Sequence, residues 1–499
     1  MTARLFPRRG APAAIAAKAR RPAAASARKV RAYLAAQSSS LLSDWVGTSA
    51  SANGVTDREA RRLRQRAREL RENSWIAARY EALARENILG PNGVTFAAYV
   101  PRPRGKNEEA SRQLEDAWYD FATWVTADGR SLLSVLGTVV NSWKIEGEAI
   151  VRLRLLGDRL GLEVLDADLL DQNHSQPLQN GVRIEQGVEM DNSGRVLAYH
   201  IWDGAEDSYG RRLRERVPAS QILYTGHRTR PQQVRGITPL APVMILINHL
   251  ERLEEAVVIL NRVTASKMYT LEAEEWATPL TDENDDQIQP EETEEIQPGA
   301  SWITPYGWRT KMLDPGQPTA QHDALIKQGL HEISGGLNVS YMSLSGDLSS
   351  ASYSSGRIGL FSEREGWTMD QQQLIDDILR PLFDAWLRLE VLTRRIVLPE
   401  SVMIADVVRR SEWYGRKWPM LEPLKDAESI EKLIELRMTS RTRELNKLGI
   451  SFSAVIDELA AEEKYAKDKQ VTLAQLAAAA APSTEPEPVD PARGLRAVS

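Results

Sequence analysis

The spacing of apolar positions changes twice along the chain. Residues 57–88 set Leu, Ile and Ala among Arg and Glu in a helical pattern, and 108–145 do the same. In the second stretch Trp118, Phe121 and Trp124 stand three apart, which predicts a shared core-facing side. At 149–156, AIVRLRLL alternates: Val151, Leu153 and Leu155 against Arg152 and Arg154, the period of a strand. Gly157-Asp158 then turns into LGLEVL, a predicted β-hairpin. GVRIEQGVEM, the turn Asp191-Asn192-Ser193-Gly194 and RVLAYHIW predict a second one. Residues 149–224 therefore read as a β-rich module in an otherwise helical chain, and the expected class is α+β, mainly helical.

The helical period returns after Gly236. Thr238 is a candidate N-cap, with Pro239 and Pro242 in the first turn, where a missing N–H has no intrahelical partner to lose. Val243, Leu246, Leu250, Leu253, Val257 and Leu260 recur at steps of three and four, a seam that needs a partner helix from the same chain or another copy. Residues 272–295 hold eleven Asp/Glu and no Lys or Arg, with Pro279 and Pro290 interrupting, and predict an exposed acidic excursion with short strands. Residues 322–344 return to helix before Gly335-Gly336. There follows LSGDLSSASYSSGRIGL (344–360), whose only charged residues are Asp347 and Arg357. From 357 to 392 the apolar pairs Leu374/Ile375, Ile378/Leu379, Leu382/Phe383 and Trp386/Leu387 repeat every four residues. One helix over that span is about 54 Å long at ~1.5 Å per residue, with a kink expected at Pro381. Residues 425–465 are predicted helical, and the Ala/Pro-rich end from 466 to 499 a loose tail.

Totals narrow the function. The 499 residues are 42% hydrophobic and 26% charged with a net charge of −6, so the chain as a whole is not a basic nucleic-acid binder. Cysteine is absent, which removes disulfides, thiolate metal sites and a cysteine nucleophile. No run approaches the ~20 apolar residues that cross a bilayer, so no membrane partner is expected. Residues 1–52 begin with nine Lys/Arg before the first acid, Asp44, and predict a disordered basic tail. Seven arginines between Arg58 and Arg71 predict a solvated helix face with i,i+4 ion pairs, or a strip facing phosphate or a partner.

The familiar catalytic motifs are mostly missing from the sequence. There is no G-x-x-x-x-G-K-[ST] loop and no G-x-S-x-G elbow. His331-Glu332 begins like a zinc helix, but Gly335 stands where the second His must be. Asp282-Glu283-Asn284-Asp285-Asp286 begins like a calcium loop, but Gln287 replaces the required Gly and Thr293 the bidentate acid. The six histidines (174, 200, 227, 249, 322 and 331) are scattered; His249 on the seam is expected to face a partner or the core. No cofactor, metal or catalytic residue is expected. Asp166, Asp168 and Asp171, or the acids at 282–286, leave one enzymatic alternative open, a metal-dependent nucleic-acid-processing activity; a helical scaffold that forms no ring is a non-enzymatic one.

Four stretches in order carry a resemblance: RARELRENSWIAARYEALARENILGPNG, GITPLAPVMILINHLERLEEA, SGDLSSASYSSGRIGL and EPLKDAESIEKLIELRMTSRTRELNKLGI. Over roughly residues 40–465 the chain resembles the lambda family of phage portal proteins. The resemblance implies a non-enzymatic dodecameric ring at one vertex of a tailed-phage capsid, in the virion and, during assembly, in the host cytoplasm. Double-stranded DNA would enter and leave through it. Implied partners are further copies of the chain, the terminase large subunit, the major capsid and scaffold proteins, and head-completion adaptors. Implied regions are a wing at 53–236, stem helices at 237–268 and 319–343, and a clip at 269–318. A tunnel loop at 344–356, a tunnel helix at 357–398 and a crown at 399–465 complete the scheme. Glu274, Glu275, Trp276, Trp302, Tyr306 and Trp308 would be clip residues that dock partners.

The residues agree with that picture on physical grounds. Each phosphate neutralised by a cation adds affinity through counterion release, so a basic lining would hold the duplex fast. Ser345, Gly346, Asp347, Ser349, Ser350, Ser352, Tyr353 and Ser354 offer small hydroxyls and one acid, and are expected to line a channel without gripping its cargo.

Overall fold

The computed structural model describes residues 50–103, 105–206, 212–265, 269–273, 308–312, 320–349, 353–418, 422–447 and 452–468. The tails expected at 1–52 and 466–499 lie almost wholly outside these residues.

Two helices open the described chain, α1 (Ala52–Asn73) and α2 (Trp75–Ile88). Ser74 separates them, and its hydroxyl caps α2 by accepting from the Ala77 N–H. Strands β1 (Thr95–Ala97), β2 (Pro101–Arg102) and β3 (Gly105–Lys106) lead to α3 (Glu108–Thr123). Asn107 caps α3, and Glu108 and Glu109 in its first turn suit the helix dipole. Trp118 and Phe121 are buried as expected, but Trp124 is not. Trp124 already has extended backbone after the helix, which swings its ring outward under the Arg159 guanidinium.

Helix α4 (Leu132–Glu146) ends at Gly147, and β4 (Glu148–Leu156) and β5 (Arg159–Leu165) form the first expected hairpin around Gly157-Asp158. The second prediction needs correction. GVRIEQGVEM is not one strand but a hairpin itself, β7 (Arg183–Glu185) and β8 (Val188–Met190), after the short β6 (Gln176–Pro177). It turns at Gln186 and Gly187, both at positive φ. Gln186 tolerates this because its side chain is tied down, donating to Asn53 O at 2.7 Å and Thr56 Oγ1 at 2.8 Å. Asp191–Gly194 then turns into β9 (Val196–Glu206), which pairs with β10 (Arg212–Pro218). Strand β11 (Ile222–Gly226) returns to β4. The module thus holds a five-stranded antiparallel sheet in the order β10-β9-β8-β7-β6 and a three-stranded one, β11-β4-β5. A core of its own, including Ile150, Leu170, Tyr199 and Val217, packs within the module.

The next helix, α5 (Met244–Ala265), starts later than Thr238. Pro242 biases the residue before it away from helical backbone, and Pro239–Val243 form turns instead. Strands β12 (Tyr269–Ala273), at the start of the acidic stretch, and β13 (Trp308–Met312), beyond its end, pair antiparallel. Helix α6 (Ala320–Leu337) does not stop before Gly335-Gly336 but runs through it, and Gly336 and Gly329 let Val243 and α5 approach closely. A Cβ on Gly336 would lie 2.4 Å from Val243 Cγ1, and one on Gly329 would lie 3.0 Å from Leu250 Cδ1.

After α7 (Tyr341–Ser345), helix α8 (Tyr353–Leu374) begins four residues before the expected Arg357. It passes through a π turn, Ile375–Leu379, into α9 (Arg380–Leu392) with helical φ and ψ throughout the junction. The Arg380 N–H donates five residues back to Ile375 O. This wider turn directly precedes Pro381, whose ring crowds the carbonyl four residues back. The chain closes with α10 (Ile404–Arg410), β14 (Glu412–Tyr414), α11 (Pro423–Glu435), α12 (Arg441–Lys447) and α13 (Phe452–Asp468). Strand β14 pairs with β1, bringing Trp413 within 4.5 Å of Phe96, ring centre to ring centre. Those rings join Trp118, Phe121, Phe383 and Trp386 in the aromatic centre of the main core. The class is α+β, as the sequence predicts.

Candidate functional site

The Ser-rich loop is built on a short, well-anchored helix. Ser340 caps α7, accepting from Ser343 N at 3.1 Å, and donates from Oγ to Ser343 Oγ at 2.7 Å. Glu363 of α8 accepts from Ser340 N–H, the Ser343 hydroxyl and the Trp367 indole N–H. Arg79 of α2 donates to Ser343 O at 3.1 Å, and His331 of α6 stacks on Tyr341 with ring centres 3.9 Å apart. Three helices thereby fix the base of the loop.

At the end of α7 Gly346 takes a left-handed φ of 71° and stops the helix. Ser345 Oγ donates to Tyr341 O and accepts from Asp347 N. Asp347 accepts from Ser349 N at 2.9 Å and from Tyr341 OH at 3.0 Å, and Lys327 of α6 lies 3.6 Å away. Ser349, then Tyr341, then the Lys327 charge hold its carboxyl down at about 2. Ser350 and Ser352 lie outside the described residues, while Tyr353 and Ser354 form the first turn of α8. The other charge, Arg357, pairs with Glu422 at 3.2 Å and Asp426 at 3.8 Å, with Phe361 beneath its guanidinium. Both charges of the 344–360 stretch are thus countered within the chain.

The seam of α5 is divided between two surroundings. Val243 and Leu250 are buried against α6, together with Ile247, which the heptad reading omits. Leu246 packs partly on the same core; Leu253, Val257 and Leu260 are half-exposed. His249 is exposed. Trp308 opens β13; Glu274, Glu275, Trp276, Trp302 and Tyr306 lie outside the described residues.

Sequence reading missed the ion cluster beneath the start of α5. Arg64 points inward from α1, 2% exposed, to Glu148 at 2.8 Å and also to Asp168. Arg235 donates from Nε to Glu148 Oε2 at 2.8 Å, and the Tyr224 hydroxyl donates to the same oxygen at 2.7 Å. Burial alone would raise the Glu148 carboxyl; Arg235, then Arg64 and Tyr224, outweigh it and bring it down to about 2. Arg68 holds Glu146, Asp166 and Asp168, and Arg214 holds Asp171 at 2.9 Å. Asp166, Asp168 and Asp171 are therefore committed to arginines, while the acids at 282–286 lie outside the described residues, and the inner face of the α1 arginine strip is structural. Arg61, Arg62 and Arg66 remain exposed. A signal was present: Glu148 is an acid directly at the head of the apolar run AIV, where burial calls for a cation partner.

Helix α8 is latched to the same region. Lys144, 5% exposed, meets Asp370 at 2.6 Å with its ammonium 4.2 Å from the Trp143 ring. At the π turn Asp377 accepts from Thr225 Oγ1 of β11 at 2.9 Å, and Gln373 donates to Gly226 O at 3.2 Å.

Comparison with known proteins gives this arrangement its class. The family described as phage portal protein, lambda family, matches residues 38–371. A probable portal protein of Halomonas phage phiHAP-1 is 30% identical over 448 residues, covering 84% of this chain and 85% of the relative. Portal protein B of Escherichia phage lambda is 23% identical over 450 residues, covering 78% and 81%. Among solved structures, a chain from the virion of a native gene transfer agent particle aligns with a TM-score of 0.44 at 12% identity, covering 79% of this chain and 94% of that one. The chain belongs to the lambda family of phage portal proteins. Its general role is that of the family, a DNA-channel component of the capsid vertex in the virion.

Proposed function

We propose that copies of this chain close into a dodecameric ring at one vertex of a tailed-phage capsid. Double-stranded DNA passes through its axis during packaging and again at ejection. Residues 344–356 point toward that axis, α5 and α6 form the stem, and residues 53–236 form the wing. The stretch 269–318, bracketed by β12 and β13, is the clip, on which the terminase large subunit and later the head-completion proteins dock. The long helix from Tyr353 crosses to a crown at 399–465. The major capsid and scaffold proteins surround the ring, which assembles in the host cytoplasm.

One observation carries this reading: both charges of the Ser-rich stretch are countered internally, Asp347 by Lys327 and Arg357 by Glu422 and Asp426. The loop therefore presents hydroxyls on a fixed base and no free cation to a passing phosphate backbone. Half-exposed Leu253, Val257 and Leu260, with Val258 and Ile259 about half accessible, suit burial against neighbouring copies.

The test has two parts. Negative-stain images of the purified protein are expected to show annular particles; compact monomers or dimers under every assembly condition overturn the ring. Replacing Ser349, Ser350 and Ser352 together with Lys is expected to leave the annuli intact and to slow or stall DNA packaging. A normal packaging rate in that variant removes the loop from the channel.

A further inference from the structure

We propose that the outer stripe of α5 in one copy of the chain packs on the outer stripe of α8 in the next copy, with Arg252 facing Glu365 across the contact. The contact rests on the ring proposed above and names the two faces that join its members.

On α5, Ile245, His249, Arg252, Ala256 and Ile259 recur at steps of four and three, which sets them in line along one side of the helix, and all are exposed. This stripe is distinct from the one that buries Val243, Ile247 and Leu250. On α8, Ile358, Ser362, Glu365, Met369 and Gln372 follow the same steps and are exposed, with Phe361 at the edge. The other side of α8 turns Glu363, Trp367, Gln371 and Leu374 into the core. Ile245, Ile358 and Met369 are 69%, 70% and 75% exposed, so the chain itself covers neither stripe.

The charges of the two stripes are complementary. The α5 stripe holds no acid and the α8 stripe no base. Among the described residues neither Arg252 nor Glu365 has an ion pair or a side-chain hydrogen bond, and Glu255, one turn beyond Arg252, does not pair with it. Asp376, one turn past Gln372, is already held by Arg380 at 3.0 Å. Packing α5 on α5 would bring Arg252 toward its own copy, and α8 on α8 would do the same with Glu365; like charges oppose both. Joining α5 to α8 uses two different faces, the head-to-tail contact that closes into a ring. The spacing also agrees. Ile245 and Ile259 stand seven residues either side of Arg252, and Ile358 seven residues before Glu365, about 10.5 Å along each helix. With Arg252 opposite Glu365, Ile358 meets an isoleucine of α5 whichever way the helices run. Apolar contacts beside the ion pair keep water from it and strengthen it.

Sedimentation velocity of the intact protein tests the pair. Arg252→Glu and Glu365→Arg, both at exposed positions, are each expected to lower the assembled fraction at least about tenfold, with the circular dichroism of the folded chain unchanged. The double variant is expected to restore assembly, and so is an equal mixture of the two single variants. Rescue by mixing is open only to a contact between copies, since a pair within one chain is repaired in the double variant alone. Single variants that assemble like the wild type, or a mixture that stays unassembled, overturn the contact. The chain has no cysteine, so a short bismaleimide reads the same contact apart from ring size. Copies with Arg252→Cys are expected to crosslink to copies with Glu365→Cys, and neither kind to itself. That crosslink in particles that are not annular removes the ring and keeps the contact; annular particles that lack it keep the ring and remove the contact.

Discussion

Arg235 donates from Nε to Glu148 Oε2 at 2.8 Å with both side chains almost wholly withdrawn from solvent. Arg235 immediately precedes the turn into α5, and Glu148 opens the strand that follows α4. Arg64 reaches the same carboxylate from α1. One buried anion therefore joins α1, the β module and the approach to α5.

Removing Glu148 leaves the buried Arg235 guanidinium without its anion and Arg64 with Asp168 alone. Glu148→Ala is expected to cost about 3–5 kcal/mol in urea unfolding, unless the variant fails to fold at all. The pH dependence has a defined sign. The carboxyl lies lower in the folded protein than the ordinary value of 4.5, at about 2, so its contribution is complete above pH 4.5 and is lost as pH falls toward 2. A depression of that size corresponds to about 3 kcal/mol. Unfolding curves from pH 6 to pH 2.5 are expected to show this loss in the wild type and a smaller slope in Glu148→Gln. Equal slopes would remove Glu148 from the acid-sensitive set.

Gly147 and Gly236 are predicted to be irreplaceable for different reasons from Gly157. Gly147 has a φ of 95°, and a Cβ there would fall 2.2 Å from the Ile237 carbonyl carbon; a Cβ on Gly236 would fall 2.0 Å from Gly147 O. Backbone stands against backbone, so no side chain can give way. Gly157, at φ 67°, has open space around it. Thermal melts are expected to show Gly157→Ala losing about 1 kcal/mol from strain alone. Gly147→Ala and Gly236→Ala should each lose several times that. A loss near 1 kcal/mol at all three positions contradicts the close crossing.

What the sequence made legible was local. The hairpin at Gly157-Asp158, the turn at Asp191–Gly194 and the four-residue repeat of the long helix all follow from spacing and turn chemistry within a few residues. What it hid depended on distant partners. Gln186 accepts a left-handed backbone only because Asn53 and Thr56 hold its side chain. Gly335-Gly336 resembles a helix stop until Val243 is brought against Gly336. Arg64 reads as one of seven solvated arginines, yet Glu148, 84 residues on, draws it inside. In the Ser-rich loop the composition was legible, but the neutralisation of Asp347 by α6 and of Arg357 by α11 was not.

Lys144 and Asp370 tie α4 to α8, and the two halves of the pair are expected to respond unequally. Burial lowers the Lys144 ammonium, and Asp370 opposes that shift. Asp370→Ala strands a buried cation between Trp143 and Trp367 and is expected to cost about 3 kcal/mol or more. Lys144→Met keeps the apolar stem, removes the charge, and is expected to stay within about 1–2 kcal/mol of the wild type. Chemical denaturation of the two variants and the double variant measures the difference; equal costs would mean the ion pair itself supplies the stability.

The pairing of Arg357 leads to a prediction about DNA. Glu422→Gln with Asp426→Asn keeps the shape of these two side chains and removes the charges that hold Arg357. The guanidinium is then free to swing toward the Ser-rich stretch, and in a ring every copy contributes one. Each phosphate it neutralises adds about −0.9 to the slope of log affinity against log salt for duplex DNA. Annular particles of the double variant are therefore expected to bind duplex DNA more tightly at low salt, with a steeper salt dependence than the wild type, and to package it more slowly. The triple variant that also carries Arg357→Gln is expected to return both properties to wild-type levels. If the double variant binds DNA more tightly but Arg357→Gln does not reverse it, the cation responsible lies elsewhere, and the paired state of Arg357 has no part in keeping the channel slippery.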